Sequence, residues 1–93
     1  MDKDALNRQI TLGQRAKAIL NDELVTEARR MVRLEIMEAW ERSPARDTEG
    51  REALYQMLKL HDRVWGKLEQ VLGDGKVADS QLPENERRGL LNF

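Results

Sequence analysis

The strongest constraint on the fold is an apolar stripe in the second half of the chain. Between Thr48 and Leu72 the positions of this stripe recur at i, i+3, i+4 and i+7. They are occupied by Leu54, Met57, Leu58, His61, Val64, Trp65, Leu68, Val71 and Leu72. Residues three and four apart share one helix face, so this spacing predicts a long amphipathic α-helix. The glycines of "GDG", residues 73–75, are suited to end it. A short C-terminal helix is expected next, before Pro83.

A second long helix is predicted from Glu23 to Ser43, because this segment also carries a wide apolar stripe. Leu34 and Met37 fall outside that stripe and widen the apolar surface enough to suggest a second contact. A further helix is predicted from about Lys3 to Leu20. Gly13 inside it costs up to about 1 kcal/mol relative to alanine, which is tolerable where another helix comes close.

The corner "WERSPARDTEGRE" separates the two long helices. Pro44 disfavours helix at Ser43 and cannot continue the helix before it. Asp47 or Thr48 can cap the next helix, and Asp47 is the expected cap. The short link Pro44–Asp47 favours antiparallel neighbours.

The expected fold is therefore all-α. It is an antiparallel hairpin of two long helices with an added N-terminal helix, a short C-terminal helix and an extended tail. Residues 1–82 would form a single domain, and residues 83–93 a tail that is a candidate docking segment. The hairpin core is expected to consist of Val32, Ile36, Trp40, Leu54, Leu58, His61 and Trp65.

The core of such a chain is thin, since it has 93 residues and only 4% are aromatic. A wide apolar face on a thin core favours assembly with another protein chain. The expected partner contacts are Leu34, Met37, Leu90, Leu91 and Phe93. Whether the apolar end of the tail docks on its own domain or on a neighbour is left open.

Charge and composition limit the other function classes. The net charge is −1, which gives no general attraction to nucleic acid or anionic lipid. The chain has no cysteine, no apolar run near the ~20 residues that span a bilayer, and no secretory h-region at its start. The expected location is a virion or the host cytoplasm, without a signal peptide.

Few residues suggest chemistry. His61 is either a packed histidine, with Glu35 or Glu38 as a hydrogen-bond partner, or a proton switch or metal ligand. The packed reading is favoured, because no second histidine or cysteine is available to a metal. Candidate anion contacts are Arg29, Arg30, Arg33, Lys59, Arg63 and Lys67, but acidic residues on the same helices favour a solvated mixed-charge surface. We expect no enzyme and no cofactor.

The corner and its flanks carry a resemblance. The segments "LGQRAKAIL" and "EAWERSPARDTEGREALYQMLKLHDRVWGKLEQVLGDGKVADSQL", from about Thr11 to Leu82, resemble small helical proteins encoded by tailed bacteriophages and prophages. The resemblance implies a phage origin and a virion or head-assembly role. It assigns no catalytic residues.

The expected function is that of a non-enzymatic structural or assembly protein of a tailed phage particle, which acts in multiple copies through helix-mediated contacts. Its partners would be itself or a larger virion protein, such as a capsid, portal or tail component. The alternative is a small intracellular binding module for a host protein or for DNA packaging. Nucleic-acid binding through the basic residues ranks third.

Overall fold

The computed structural model describes residues 2–90, which form three α-helices and one short 3-10 helix. The helices are α1 (Lys3–Asn21), α2 (Glu23–Arg42) and α3 (Thr48–Ser80), and the 3-10 helix spans Glu84–Glu86. The predicted all-α class is confirmed.

Side-chain caps fix where two of the helices begin. The Asp2 carboxylate accepts the Asp4 N–H at 3.2 Å at the start of α1. At the start of α3, Asp47 Oδ1 accepts the Gly50 N–H at 3.0 Å, which confirms the predicted cap. Each carboxylate satisfies a donor that has no partner inside its own helix.

The expected end of the third helix at Gly73–Gly75 is wrong. α3 continues through both glycines to Ser80, so no separate short helix follows them. Within residues 2–90 the only glycine with a positive φ is Gly89, at 81°. Gly73 and Gly75 are therefore ordinary helical residues. A Cβ at Gly75 would lie 2.8 Å from the Gly13 Cα, whereas one at Gly73 would meet nothing within 4 Å.

The chain divides into two compact units. Unit 1 consists of residues 2–22 and 67–90, and unit 2 is Glu23–Gly66. The last residues that the structure describes therefore belong with α1, although the sequence placed a boundary after Leu82.

Unit 1 holds the main apolar core. Its buried cluster is formed by Leu6, Ile10, Ala78, Leu82 and Leu90. The helices come closest at Gly13 of α1, where an added Cβ would lie 2.9 Å from the Gly75 Cα. The small residue at position 13 thus faces a closely approaching helix, as the sequence suggested.

None of the helices within residues 2–90 combines the length and the apolar character needed to cross a membrane.

Candidate protein-interaction surface

In unit 2, residues 29 and 33 of α2 contact residues 61 and 62 of α3, and residues near the end of α2 contact the start of α3. His61 Nε2 lies 3.2 Å from the Arg29 carbonyl oxygen, and Arg33 Nε donates to Asp62 Oδ1 at 3.2 Å. Further along α2, the Arg51 guanidinium of α3 lies 4.2 Å from the centre of the Trp40 ring. Arg51 also donates to the Ser43 hydroxyl at 3.0 Å, which ties α3 to the corner.

His61 has the contacts of a packed histidine. Its Nδ1 lies 3.2 Å from Asp62 Oδ1, and the Trp65 indole N–H donates to its Nε2 at 3.3 Å. The two contacts of Nε2 call for different tautomers, because the Trp65 N–H needs an unprotonated Nε2 and the Arg29 carbonyl oxygen needs a proton on it. The acidic partner is Asp62, and the expected pairing with Glu35 or Glu38 is wrong.

Asp62 connects this cluster to α2. Hydrogen bonds from Arg33 and then from His61 hold the pKa of the Asp62 carboxyl below its ordinary value. The carboxylate is nevertheless 44% exposed. Solvent therefore screens the pair, and its contribution to stability lies within the ~0–1 kcal/mol of surface ion pairs.

The structure corrects part of the expected hairpin core. Ile36 is buried, and Leu54, Leu58, His61 and Trp65 are half-buried. Val32 and Trp40 remain 44% and 42% exposed. A single neighbouring helix covers one stripe of α2, and the apolar stripe of α2 is wider than that.

Unit 2 consequently leaves much of its apolar surface in solvent. The large apolar side chains that stay exposed are Leu24, Met31, Val32, Leu34, Trp40, Tyr55, Met57, Leu60 and Val64. Ile36 is the only hydrophobic side chain of unit 2 that is buried. This exposed apolar surface makes unit 2 a candidate site for contact with another protein.

One edge of unit 2 contains an apolar groove. It has a volume of about 190 Å³ and is lined by Ile36, Met37, Trp40, Leu54, Tyr55 and Leu58. Beside it, Leu34 and Met37 form a shallow recess with Arg30 and Arg33. The two α2 residues predicted to contact a partner are therefore adjacent and accessible on this edge.

The predicted anion contacts are largely engaged within the chain. Arg30 pairs with Glu27 at 2.6 Å, and this hydrogen bond lowers the pKa of Glu27. Arg33 pairs with Asp62, Arg29 lies 5.3 Å from the centre of the Trp65 ring, and Lys59 lies 5.3 Å from that of Tyr55. Arg63 and Lys67 are exposed residues of α3. These contacts agree with a mixed-charge surface.

The C-terminal segment docks on its own chain. The Asp79 side chain, only 1% exposed, accepts three successive backbone N–H groups: Arg88 at 2.7 Å, Gly89 at 3.1 Å and Leu90 at 3.2 Å. Leu90 is 3% exposed, and its Cδ1 would lie 3.5 Å from a Cβ at Gly13. Leu90 is therefore a core residue of unit 1, and its assignment as a partner contact is corrected. Leu91 and Phe93 lie outside the described residues.

Two arginines reinforce this docking. Arg87 donates to the carbonyl oxygen of Ser80, the last residue of α3, at 3.2 Å and to that of Leu82 at 3.0 Å. Arg88 donates to Thr11, Gln14 and Asn7 of α1.

Sequence reasoning missed Asp79, which it placed in a short polar helix. The available signal was "RRGL", in which a glycine can adopt the positive φ that aims neighbouring N–H groups at one acceptor.

Within residues 2–90, no group of three or more His, Cys, Asp or Glu residues is arranged to hold a metal ion. Comparisons of the chain with protein-family models, curated proteins and solved structures found no match.

Proposed function

We propose that this chain is a non-enzymatic structural or assembly protein of a tailed phage particle, and that it acts in multiple copies through helix-mediated protein contacts. The phage context rests on the resemblance of the corner and its flanks. The mode of action rests on the surface of unit 2.

The observation that carries the proposal is the exposure of apolar side chains in unit 2. Helices in proteins gain most of their stability by packing an apolar face. In unit 2 only Ile36 is buried among the hydrophobic residues, while apolar side chains remain exposed on both helices. Contact with another protein chain would remove these side chains from water, at roughly 25 cal/mol per Å² of apolar surface.

In this proposal the two units have different roles: unit 1 forms a buried core, and unit 2 contacts other proteins. Unit 1 has its own buried cluster and a C-terminal segment held by Asp79. Unit 2 supplies the contacts. Leu34 and Met37 remain the predicted partner contacts, whether with another copy or with a larger virion protein, on the edge that carries the groove.

Quantitative mass spectrometry of purified particles, from a phage that encodes this chain, tests the proposal. We expect many copies per particle. Leu34→Lys should lower the copy number by on the order of tenfold, because it buries an unpaired charge in the contact. Leu12→Lys is the matched control, since Leu12 is 41% exposed and Leu34 46%, and it should leave the copy number unchanged. A chain found in infected cells but missing from particles would refute the structural role and favour the intracellular binding module.

A further inference from the structure

We infer that a second copy of this chain covers the edge of unit 2 opposite the groove, and that two copies form a four-helix bundle through it. The inference rests on the proposed function and deepens it, because it names the first partner and the residues that contact it.

α3 carries two parallel apolar stripes in this region. The first contacts α2 and consists of Leu54, Leu58, His61 and Trp65. The second is Ala53, Met57, Leu60 and Val64, here called the Met57 stripe. Both have the 4-3-4 spacing of helices that pack along a seam. The Met57 stripe is uncovered: Met57, Leu60 and Val64 are 52%, 62% and 53% exposed.

The helical register places the Met57 stripe opposite the groove. Tyr55 and Met37 line the groove, and Met57 lies about 160° around α3 from Tyr55 at 100° per residue. On α2, Val32 lies about 140° from Met37 by the same measure, so it shares the second edge. Val32 is exposed, as is its neighbour Met31. The second edge thus combines apolar side chains from both helices.

Charge favours a second copy as the occupant. From Gly50 to Val64, the positions of the Met57 stripe carry no charged residue. Unit 2 holds eight Arg and Lys against nine Asp and Glu, so two copies repel each other little. On α2, Glu35 and Arg42 lie one heptad apart on the second edge. In a twofold interface, any contact between Glu35 of one copy and Arg42 of the other is made twice. Opposite charges on one face can therefore complement themselves.

The size of the edge also suits a dimer. α2 has 20 residues and is roughly 30 Å long. Two helices packed 8–10 Å apart present a face roughly 18 Å wide. Two such faces enclose on the order of 1,100 Å², which reaches the ~1,000 Å² expected of a specific interface. Two helical hairpins joined in this way form a four-helix bundle.

Light scattering after size exclusion, on the full chain from about 1 µM to about 100 µM, tests the inference. We expect the mass to rise with concentration towards twice 10.8 kDa. Val64→Lys should weaken association at least about 30-fold, because a twofold interface contains the substitution twice. Val77→Lys is the control: it changes the same residue type on the same helix, at 57% exposure and in unit 1, and should associate like the unchanged chain.

Leu60→Lys is the second variant, and far-UV circular dichroism must show unchanged helicity for each protein. A mass of 10.8 kDa at every concentration overturns the inference. The inference is also overturned if Val64→Lys and Val77→Lys weaken association by the same factor. So does full association of both Val64→Lys and Leu60→Lys. A monomer that is nevertheless abundant in particles would refute the dimer and leave the proposed function standing. A dimer that is missing from particles would refute the proposed function and leave the inferred dimer standing.

Discussion

Gly13 of α1 and Gly75 of α3 meet with their backbones in contact. A Cβ on Gly13 would lie 2.9 Å from the Gly75 Cα, and a Cβ on Gly75 would lie 2.8 Å from the Gly13 Cα. Both distances are shorter than real Cβ contacts, and the atom approached is backbone, which cannot swing away. The closest approach inside unit 1 therefore requires glycine on both sides.

Gly75→Ala should destabilise the protein by about 1–3 kcal/mol, because the added methyl group forces the two helices apart. Gly73→Ala, two residues away, meets nothing within 4 Å and should stabilise by about 0.5–1 kcal/mol through helix propensity. Urea unfolding followed by circular dichroism measures both. Equal effects of the two substitutions would contradict the close approach.

Asp79→Ala should cost at least about 3 kcal/mol, because the N–H groups of Arg88, Gly89 and Leu90 lose a charged acceptor in a buried place. Asp79→Asn keeps one carbonyl oxygen and should cost less. Asp74→Asn, at an exposed position of α3, is the control and should change the free energy of unfolding by no more than about 0.5 kcal/mol. Unfolding free energies give the ranking. A harmless Asp79→Ala would mean that the C-terminal segment is not held by this carboxylate.

Asp47→Ala should cost about 1 kcal/mol, because it removes the acceptor for the Gly50 N–H at the start of α3. Asp47→Asn keeps an acceptor oxygen and should cost only a few tenths of a kcal/mol. Thermal unfolding separates the two. If alanine and asparagine behave alike, the side-chain cap contributes nothing.

Asp62→Asn should reduce stability at neutral pH by no more than about 1 kcal/mol, since the pair with Arg33 is half exposed. The pKa of Asp62 is lowered in the folded protein, so its contribution is present above the unfolded pKa of about 3.9 and fades as pH falls through the folded pKa. The difference between Asp62→Asn and the unchanged chain should thus close below about pH 4. Glu38→Gln, which breaks a 4.0 Å pair with Arg42, should show a smaller difference. A gap that persists at low pH would rule out the ion pair as its origin.

Local spacing predicted the all-α class, the existence of α1, α2 and α3, and the Asp47 cap, because each depends on residues close in sequence. The location of the main core could not be predicted in this way. The stripe through Leu54 and Trp65 is the more regular pattern, yet the buried cluster forms around Ile10 and Leu90. That cluster joins α1 to the end of α3 and the segment after it, and the Asp79 contacts beside it depend on a turn at Gly89 that no periodicity reveals.

The interaction surface was only partly predictable for a related reason. Position on a helix identified Leu34 and Met37 as lying off the main stripe. Which apolar residues remain exposed depends on how much of α2 a single neighbour covers. Val32 was therefore expected in the core and is instead on the surface.

The central claim is that unit 2 lacks a sufficient core of its own and is completed by contacts with other protein chains. Backbone amide hydrogen exchange of the full chain, at about 1 µM and about 100 µM, tests it most directly. We expect the amides of Glu23–Gly66 to gain at least about tenfold protection at the higher concentration, while those around Ile10 and Ala78 stay unchanged. Equal protection of Glu23–Gly66 at both concentrations, as high as that of unit 1, would contradict it.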